Sequence, residues 1–292
     1  MGFWKTFFGG EEATPEEEKK NADAKNFDLM KYDGVKAMRM GQLEYAERCF
    51  NEALKIQDDM EVHDYLSQTL TRLGNLEGAL QELLTMARVA PDNVAVLMQG
   101  AHVAYMLENY EQMKTLCEQA LALDGENALA NYQMAQAVMG QGDTISGIAY
   151  LTKAITLSEE LADARLLRAK TLLAMGDVRG AGEDVDWLMA HTDEEEDVLL
   201  MAARVACAKG QTEEAINIYN KVTELNPFQL DAYRERGKLK FELGDKQGAE
   251  EEMQKLLEMN PDEMANVSGD YTAEGVEQAV KRAYSNMNPF GI

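Results

Sequence analysis

The chain has 292 residues and is strongly acidic, since 52 Asp and Glu against 28 Lys and Arg give a formal net charge of −24. This charge repels phosphate backbones, so we expect no nucleic acid partner. The three cysteines form no Cys-x-x-Cys pair, and no run reaches the roughly 18 apolar residues of a spanning helix. We therefore expect free thiols, a cytoplasmic location and no membrane-spanning segment.

The first ten residues, MGFWKTFFGG, place four aromatic side chains within a turn and a half of helix: Phe3, Trp4, Phe7 and Phe8. Four outcomes stay open for this segment, namely folding back on the chain, docking on a partner, remaining disordered, or lying in a membrane interface. Residues 1–26 are predicted to be this aromatic segment followed by a charged linker or frayed helix. Thr14-Pro15 is a helix-start signal within them.

From residue 27 onward, one glycine recurs in phase along the sequence. It stands at Gly41, Gly74, Gly142, Gly176, Gly210 and Gly244. Glu108 occupies the one missing slot of this series, whose interval is 33 once and otherwise 34 or a multiple of it. A left-handed residue followed by an Asn or Asp cap is typical of a tight turn between two helices. The residue directly after the turn position is Asn or Asp in five of the seven units.

Small residues accompany each predicted turn, seven positions before the glycine and five after it. Thirteen of these fourteen residues are small, and Met113 is the exception. Small residues on facing sides let two antiparallel helices approach closely. Pro91, Pro227 and Pro261 fall just past the second helix of a unit, where a residue that cannot continue a helix is favoured.

A helix-turn-helix unit that repeats every 34 residues, with small residues at positions 8 and 20 and proline at 32, resembles the tetratricopeptide repeat. The resemblance covers residues 27–263 and implies an all-α, right-handed superhelical solenoid. The seven units are 27–59, 60–93, 94–127, 128–161, 162–195, 196–229 and 230–263. Arg168 and Arg236 depart from the family pattern, because they occupy position 7, where Leu is usual. Met113 departs at position 20.

Residues 264–292 follow the last unit and carry an apolar stripe between Val276 and Tyr284 with helical spacing. We expect this stripe to belong to one more helix. The last unit of a repeat array exposes an apolar face, so the predicted helix would cap it. The final five residues are expected to be a mobile tail.

The resemblance implies that the first helix of each unit lines a concave groove with positions 2, 5, 9, 12 and 13. The predicted groove residues are Met98, His102, Tyr105, Tyr132, Gln136, Met139, Leu166, Lys170, Leu173, Leu200, Arg204, Cys207, Arg234, Lys238 and Phe241. Positions 5 and 12 are largely apolar, and Met and Tyr there favour an adaptable peptide-binding surface. The alternative is that neighbouring first helices bury these side chains.

Three cations, Lys170, Arg204 and Lys238, occupy position 9 in consecutive units of this acidic chain. Helices about 10 Å apart would let this row meet carboxylates on about every third residue of an extended ligand. The alternative is that the cations pair with aspartates at position 2 of adjacent units. Those aspartates are Asp163, Asp197 and Asp231.

The sequence predicts a non-enzymatic scaffold that binds a peptide or helix, without cofactor or metal. The three histidines lack metal-ligand spacing, and the glycines belong to repeat turns. Co-chaperone members of the family hold a C-terminal carboxylate with Lys and then Asn on one helix, but here Lys31 is followed by Val35. Self-association through the aromatic N-terminus and a membrane-surface adaptor are the alternatives.

Overall fold

The computed structural model describes residues 14–260, in which fourteen α-helices and no strand occur. The helices are α1 Pro15–Arg39, α2 Leu43–Ile56, α3 Met60–Arg72, α4 Leu76–Val89, α5 Val94–Met106, α6 Tyr110–Leu123, α7 Ala128–Gly140, α8 Thr144–Leu157, α9 Ala162–Ala174, α10 Val178–His191, α11 Glu196–Ala208, α12 Thr212–Leu225, α13 Leu230–Glu242 and α14 Lys246–Met259. The prediction of an all-α repeat fold is confirmed for this part of the chain. The predicted aromatic segment and the predicted C-terminal capping helix lie outside the described residues.

Helix α1 begins well before the first predicted unit. Thr14 closes a capping box, because its Oγ1 accepts a hydrogen bond from the Glu17 N–H at 3.3 Å and its own N–H donates to Glu17 Oε2 at 2.8 Å. Residues 15–26 are exposed throughout. From residue 15 to residue 26, the predicted charged linker or frayed helix is therefore a solvated extension of the first helix.

A residue just past the end of each first helix has a left-handed backbone. The six repeat glycines have φ between 75° and 90°, and Glu108 has φ 54°. Each Asn or Asp that follows then caps the second helix, as where Asn75 Oδ1 accepts from the Gly78 N–H at 3.0 Å and Asp245 Oδ1 accepts from the Gly248 N–H at 2.9 Å. Six of the first helices begin at the residue where the predicted unit begins, namely α3, α5, α7, α9, α11 and α13.

The small residues at the facing positions are fully enclosed. The alanines at these positions are Ala46, Ala79, Ala101, Ala135, Ala169, Ala181, Ala203, Ala215 and Ala249, and each is inaccessible to solvent. At Gly34 even a methyl group would not fit, since an added Cβ would lie 2.6 Å from Phe50 Cε1. Close helix approach thus requires small side chains at these sites. Met113, the large exception, is also fully buried.

The chain divides into two compact units, residues 1–150 and 151–292. In the first unit, buried side chains such as Phe50, Leu66 and Leu97 belong to one continuous apolar cluster. In the second, the described core consists of three clusters that follow successive helix pairs. None of the described helices is long and apolar enough to cross a membrane.

The two arginines at position 7 form ion pairs inside their own hairpins. Arg168 on α9 donates through Nε and Nη2 to the Asp184 carboxylate on α10, at 2.8 and 2.7 Å. Arg236 on α13 donates in the same way to Glu252 on α14, at 3.0 and 2.8 Å. A bidentate pair therefore replaces the usual apolar contact of Leu, and the acid in each case follows sixteen residues later, at position 23.

Candidate functional site

In the unit 1–150, three successive first helices line a cleft of about 580 Å³. Its principal side chains are Thr71 and Arg72 of α3, Met98 and His102 of α5, and Leu129 and Gln133 of α7. We call this the α3–α5–α7 cleft. Two of the groove residues predicted by number, Met98 and His102, line it. Thr71, Arg72 and Leu129 occupy the predicted groove positions 12, 13 and 2 of their units, whereas Gln133, at position 6, lies outside the predicted set.

The polar groups of the α3–α5–α7 cleft differ in whether they have partners. On α3, Ser67 Oγ donates to the Asp64 carbonyl and Thr71 Oγ1 donates to the Ser67 carbonyl, both at 2.8 Å. Gln133 is only 6% exposed, yet its Oε1 has no hydrogen-bond partner among the described residues. Buried acceptors are nearly always paired in folded proteins, so this oxygen is an exception in the cleft lining.

The other predicted groove residues of this unit vary in exposure. Tyr105 is exposed, and its ring meets Tyr110 edge-on with the centroids 6.5 Å apart. Tyr132 and Gln136 are half-buried, and Gln136 Nε2 donates to the Tyr132 hydroxyl at 3.1 Å. Met139 is also half-buried. A partner that approaches the first helices would therefore meet Tyr105 more fully than the other three.

Three predicted apolar groove residues are buried by their own unit. Met98 belongs to the apolar cluster of the first unit, and Leu173 and Leu200 belong to clusters of the second. Their burial corrects the expectation of an open apolar stripe, because at these positions neighbouring helices already cover the side chains. Leu166 and Phe241 keep part of their surface accessible.

The three predicted cations are not equivalent. Arg204 donates through Nη2 to Glu235 Oε1 at 2.6 Å and to Asp231 Oδ2 at 3.1 Å, so it is paired with the adjacent unit as the alternative expectation allowed. Lys238 lies 4.0 Å from Glu242. Lys170 is exposed and has no ion pair with a described residue. A ligand carboxylate would therefore find one unpaired cation in this row.

A smaller cleft of about 260 Å³ lies in the second unit, between α11 and α13. Arg204, Cys207 and Lys238 line it together with the buried Tyr219, whose hydroxyl donates to Glu235 Oε2 at 2.5 Å. Burial raises the pKa of Cys207 to about 11, so its thiol is protonated at neutral pH. The predicted groove residue Arg234 lies nearby and donates to Asp231 at 2.6 Å.

The histidines occupy separate environments. His63 Nε2 lies 2.7 Å from Asp58 Oδ1 and its Nδ1 contacts Glu82, while His191 stacks on Trp187. Across residues 14–260, no group of three or more His, Cys, Asp or Glu is arranged to hold a metal ion. Phe3 and the other aromatic residues of the predicted docking segment lie outside the described residues, so their role stays a prediction.

Comparison with known families matches two stretches of the chain. The family described as TPR repeat matches residues 203–244, and the family described as Tetratricopeptide repeat matches residues 230–263. A search of curated proteins finds no significant match.

Solved structures share the fold at low sequence identity. A tetratricopeptide repeat protein from Parabacteroides merdae ATCC 43184 has a TM-score of 0.66 and 17% identity, covering 90% of this chain and 100% of that one. PilW, described as a widely conserved type IV pilus biogenesis factor, has a TM-score of 0.62 and 18% identity, and the match covers 75% of this chain and 97% of PilW. YrrB, described as a TPR protein with an unusual peptide-binding site, has a TM-score of 0.53 and 17% identity, and the match covers 62% of this chain and 94% of YrrB.

Proposed function

We propose that this chain, whose residues 203–263 match tetratricopeptide repeat families, is a non-enzymatic scaffold that binds a peptide or helix of a partner protein on its first helices. The observation that carries the proposal is the α3–α5–α7 cleft. Its volume of about 580 Å³ falls within the range of ligand-binding pockets, about 300 to 1,000 Å³. Three successive helices contribute to it, as repeat proteins require for an extended binding surface.

The accessible part of the proposed surface combines apolar and polar groups. Leu129 and Tyr105 supply exposed apolar area, and His102 is an exposed polar side chain on the same helix as Tyr105. Apolar burial would supply most of the affinity, because exposed ion pairs add only about 0.2 to 1 kcal/mol each. An acidic segment in the partner would therefore act mainly on orientation and on the rate of encounter.

We also propose that the chain acts without catalysis and in the cytoplasm. The cysteines support a reducing compartment, since Cys49, Cys117 and Cys207 are all unpaired. Burial also raises the pKa of Cys117 to about 12, which disfavours the reactive thiolate.

A matched pair of leucines tests the proposed surface. Leu129 on the first helix α7 is 48% exposed, and Leu123 on the second helix α6 is 49% exposed. Replacing either with Ser removes about the same apolar area, so the two variants should have similar stability. Co-purification from the native cell, quantified by mass spectrometry, should lose partners with Leu129→Ser and retain them with Leu123→Ser.

The helical content of both variants, measured by circular dichroism, is the control for folding. Equal capture of the same partners by the wild type and both variants would refute the assignment of binding to the first helices. Loss of partners with Leu123→Ser alone would move the binding surface to the second helices.

A further inference from the structure

Within this proposed function, on which the inference rests, we infer that the α3–α5–α7 cleft takes an extended peptide with an acidic side chain. Arg72 pairs with the carboxylate of the peptide, and Gln133 accepts a hydrogen bond from its backbone. The occupant is a segment of a partner protein. Three features of the described residues carry this assignment: the charge of the lining, the unpaired amide oxygen, and the path of the cleft across the helices.

The charge of the lining is unusual for this chain. The sequence has 52 Asp and Glu, yet none of the described residues that line the cleft is acidic. Arg72 Nη1 donates to the Met38 carbonyl at 3.1 Å, and the guanidinium has no ion pair with a described residue. Asp64 lies about two turns before Arg72 on α3, where it accepts from Gln68 Nε2 at 2.9 Å. The remaining donors of Arg72 suit a carboxylate, for which guanidinium has matching geometry.

The amide of Gln133 is the second feature. Its oxygen is buried in the lining without a donor, which is unfavourable until a ligand supplies one. An extended peptide presents backbone N–H groups to one side at every second residue. Rotation about the last bond of the glutamine side chain lets its oxygen meet such a donor. The missing partner is therefore one that a peptide backbone carries.

The path of the cleft is the third feature. Arg72 is the last residue of α3, His102 lies past the middle of α5, and Leu129 is the second residue of α7. The lining therefore shifts along the helices as it passes from α3 to α7. With neighbouring first helices about 10 Å apart and a shift of about 16 Å along the helix axes, the diagonal crossing is about 26 Å, which about eight extended residues span at about 3.3 Å each. An elongated ligand reaches both ends, and a compact one does not.

Peptide selection on the full-length protein tests the inference. A displayed library of random nonapeptides should yield sequences enriched in Asp or Glu. One selected peptide and its Glu→Gln or Asp→Asn version are then compared by fluorescence anisotropy. The acidic version should bind the wild type about three- to tenfold more tightly. Arg72→Gln should abolish this preference, and Arg88→Gln, which removes an exposed last-turn arginine on the second helix α4, should keep it.

Gln133→Leu separates ligand recognition from structure. This variant should weaken the binding of both peptides about three- to tenfold, because it removes the side-chain oxygen that accepts a hydrogen bond from the peptide backbone. It should not lower the denaturation midpoint, because it also removes an unpaired buried oxygen while nearly conserving volume. A residue with only a structural role would not weaken binding while stability is maintained.

Two results would overturn the inference, and they are distinguishable from failure of the proposed function. A selection without acidic enrichment, or an acidic preference that persists in Arg72→Gln, would overturn it. Selected peptides that are not acidic but still lose binding with Leu129→Ser would leave the proposed function in place. Equal binding of peptides by Leu129→Ser and Leu123→Ser would instead count against the proposed function.

Discussion

Replacing Arg236 with Leu restores the residue that the repeat family usually has at position 7, and we expect it to destabilise the protein. Arg236 is 5% exposed and Glu252 is 4% exposed, so removing one partner leaves the other charge buried. Such a break costs about 3 to 5 kcal/mol of unfolding free energy. Lys240 Nζ still lies 2.6 Å from Glu252, so the loss should fall at the low end of this range.

Glu252→Leu should cost more than Arg236→Leu, because the guanidinium would keep only neutral partners, Asn220 and Thr223, at 2.8 Å each. The double variant should lie within about 1 kcal/mol of the wild type, since replacing a whole buried pair by apolar side chains is often neutral or stabilising. The coupling between the two sites would then be several kcal/mol.

Urea unfolding of the full chain, followed by circular dichroism, measures this cycle. The control is Arg179→Leu with Glu183→Leu, an exposed pair at 3.1 Å that should contribute about 0.5 kcal/mol or less. Additive effects of Arg236→Leu and Glu252→Leu, or single losses below about 1 kcal/mol, would refute the reasoning.

Two further predictions concern a turn and a histidine. Glu108→Gly should stabilise the protein by about 0.5 to 1 kcal/mol in thermal unfolding, because the relief of left-handed backbone strain exceeds the added conformational entropy of the unfolded chain. Gly176→Ala should cost about 1 kcal/mol, because the added Cβ meets nothing within 4 Å and only the backbone strain remains. Burial alone would lower the pKa of His63, but hydrogen bonds to Glu82 and Asp58 outweigh it and raise the pKa above 6.5. The destabilisation by Glu82→Gln should therefore be full below about pH 6.5 and shrink as pH rises through the raised pKa, and a difference that stays constant from pH 6 to 9 would contradict this.

The turns were predictable from sequence because their chemistry is local. A left-handed residue and the cap that follows it are adjacent in the chain, so Glu108 could be placed in the missing glycine slot without any knowledge of packing. The same locality explains why Asn75 and Asp245 cap the helices that follow them.

Exposure of the groove positions could not be predicted in the same way, because it depends on how closely neighbouring helices approach. Leu173 and Tyr105 share position 12, yet one is buried and the other exposed. Arg168 stood out as a departure at position 7, but its acid partner lies across the hairpin at position 23, outside any local pattern. Gln133 had no sequence signal, since only the surrounding atoms show that its oxygen lacks a donor.

The pairing of positions 7 and 23 limits how this gene could be recombined. Asp184 matches Arg168 within one hairpin, whereas the next hairpin has Ala202 and Ile218 at the corresponding places. A crossover that exchanged single helices would place the Asp184 carboxylate next to alanine in one product and the Arg168 guanidinium next to isoleucine in the other, so that each charge lacked its partner. Duplication or shuffling of the array should therefore copy whole hairpins and not single helices.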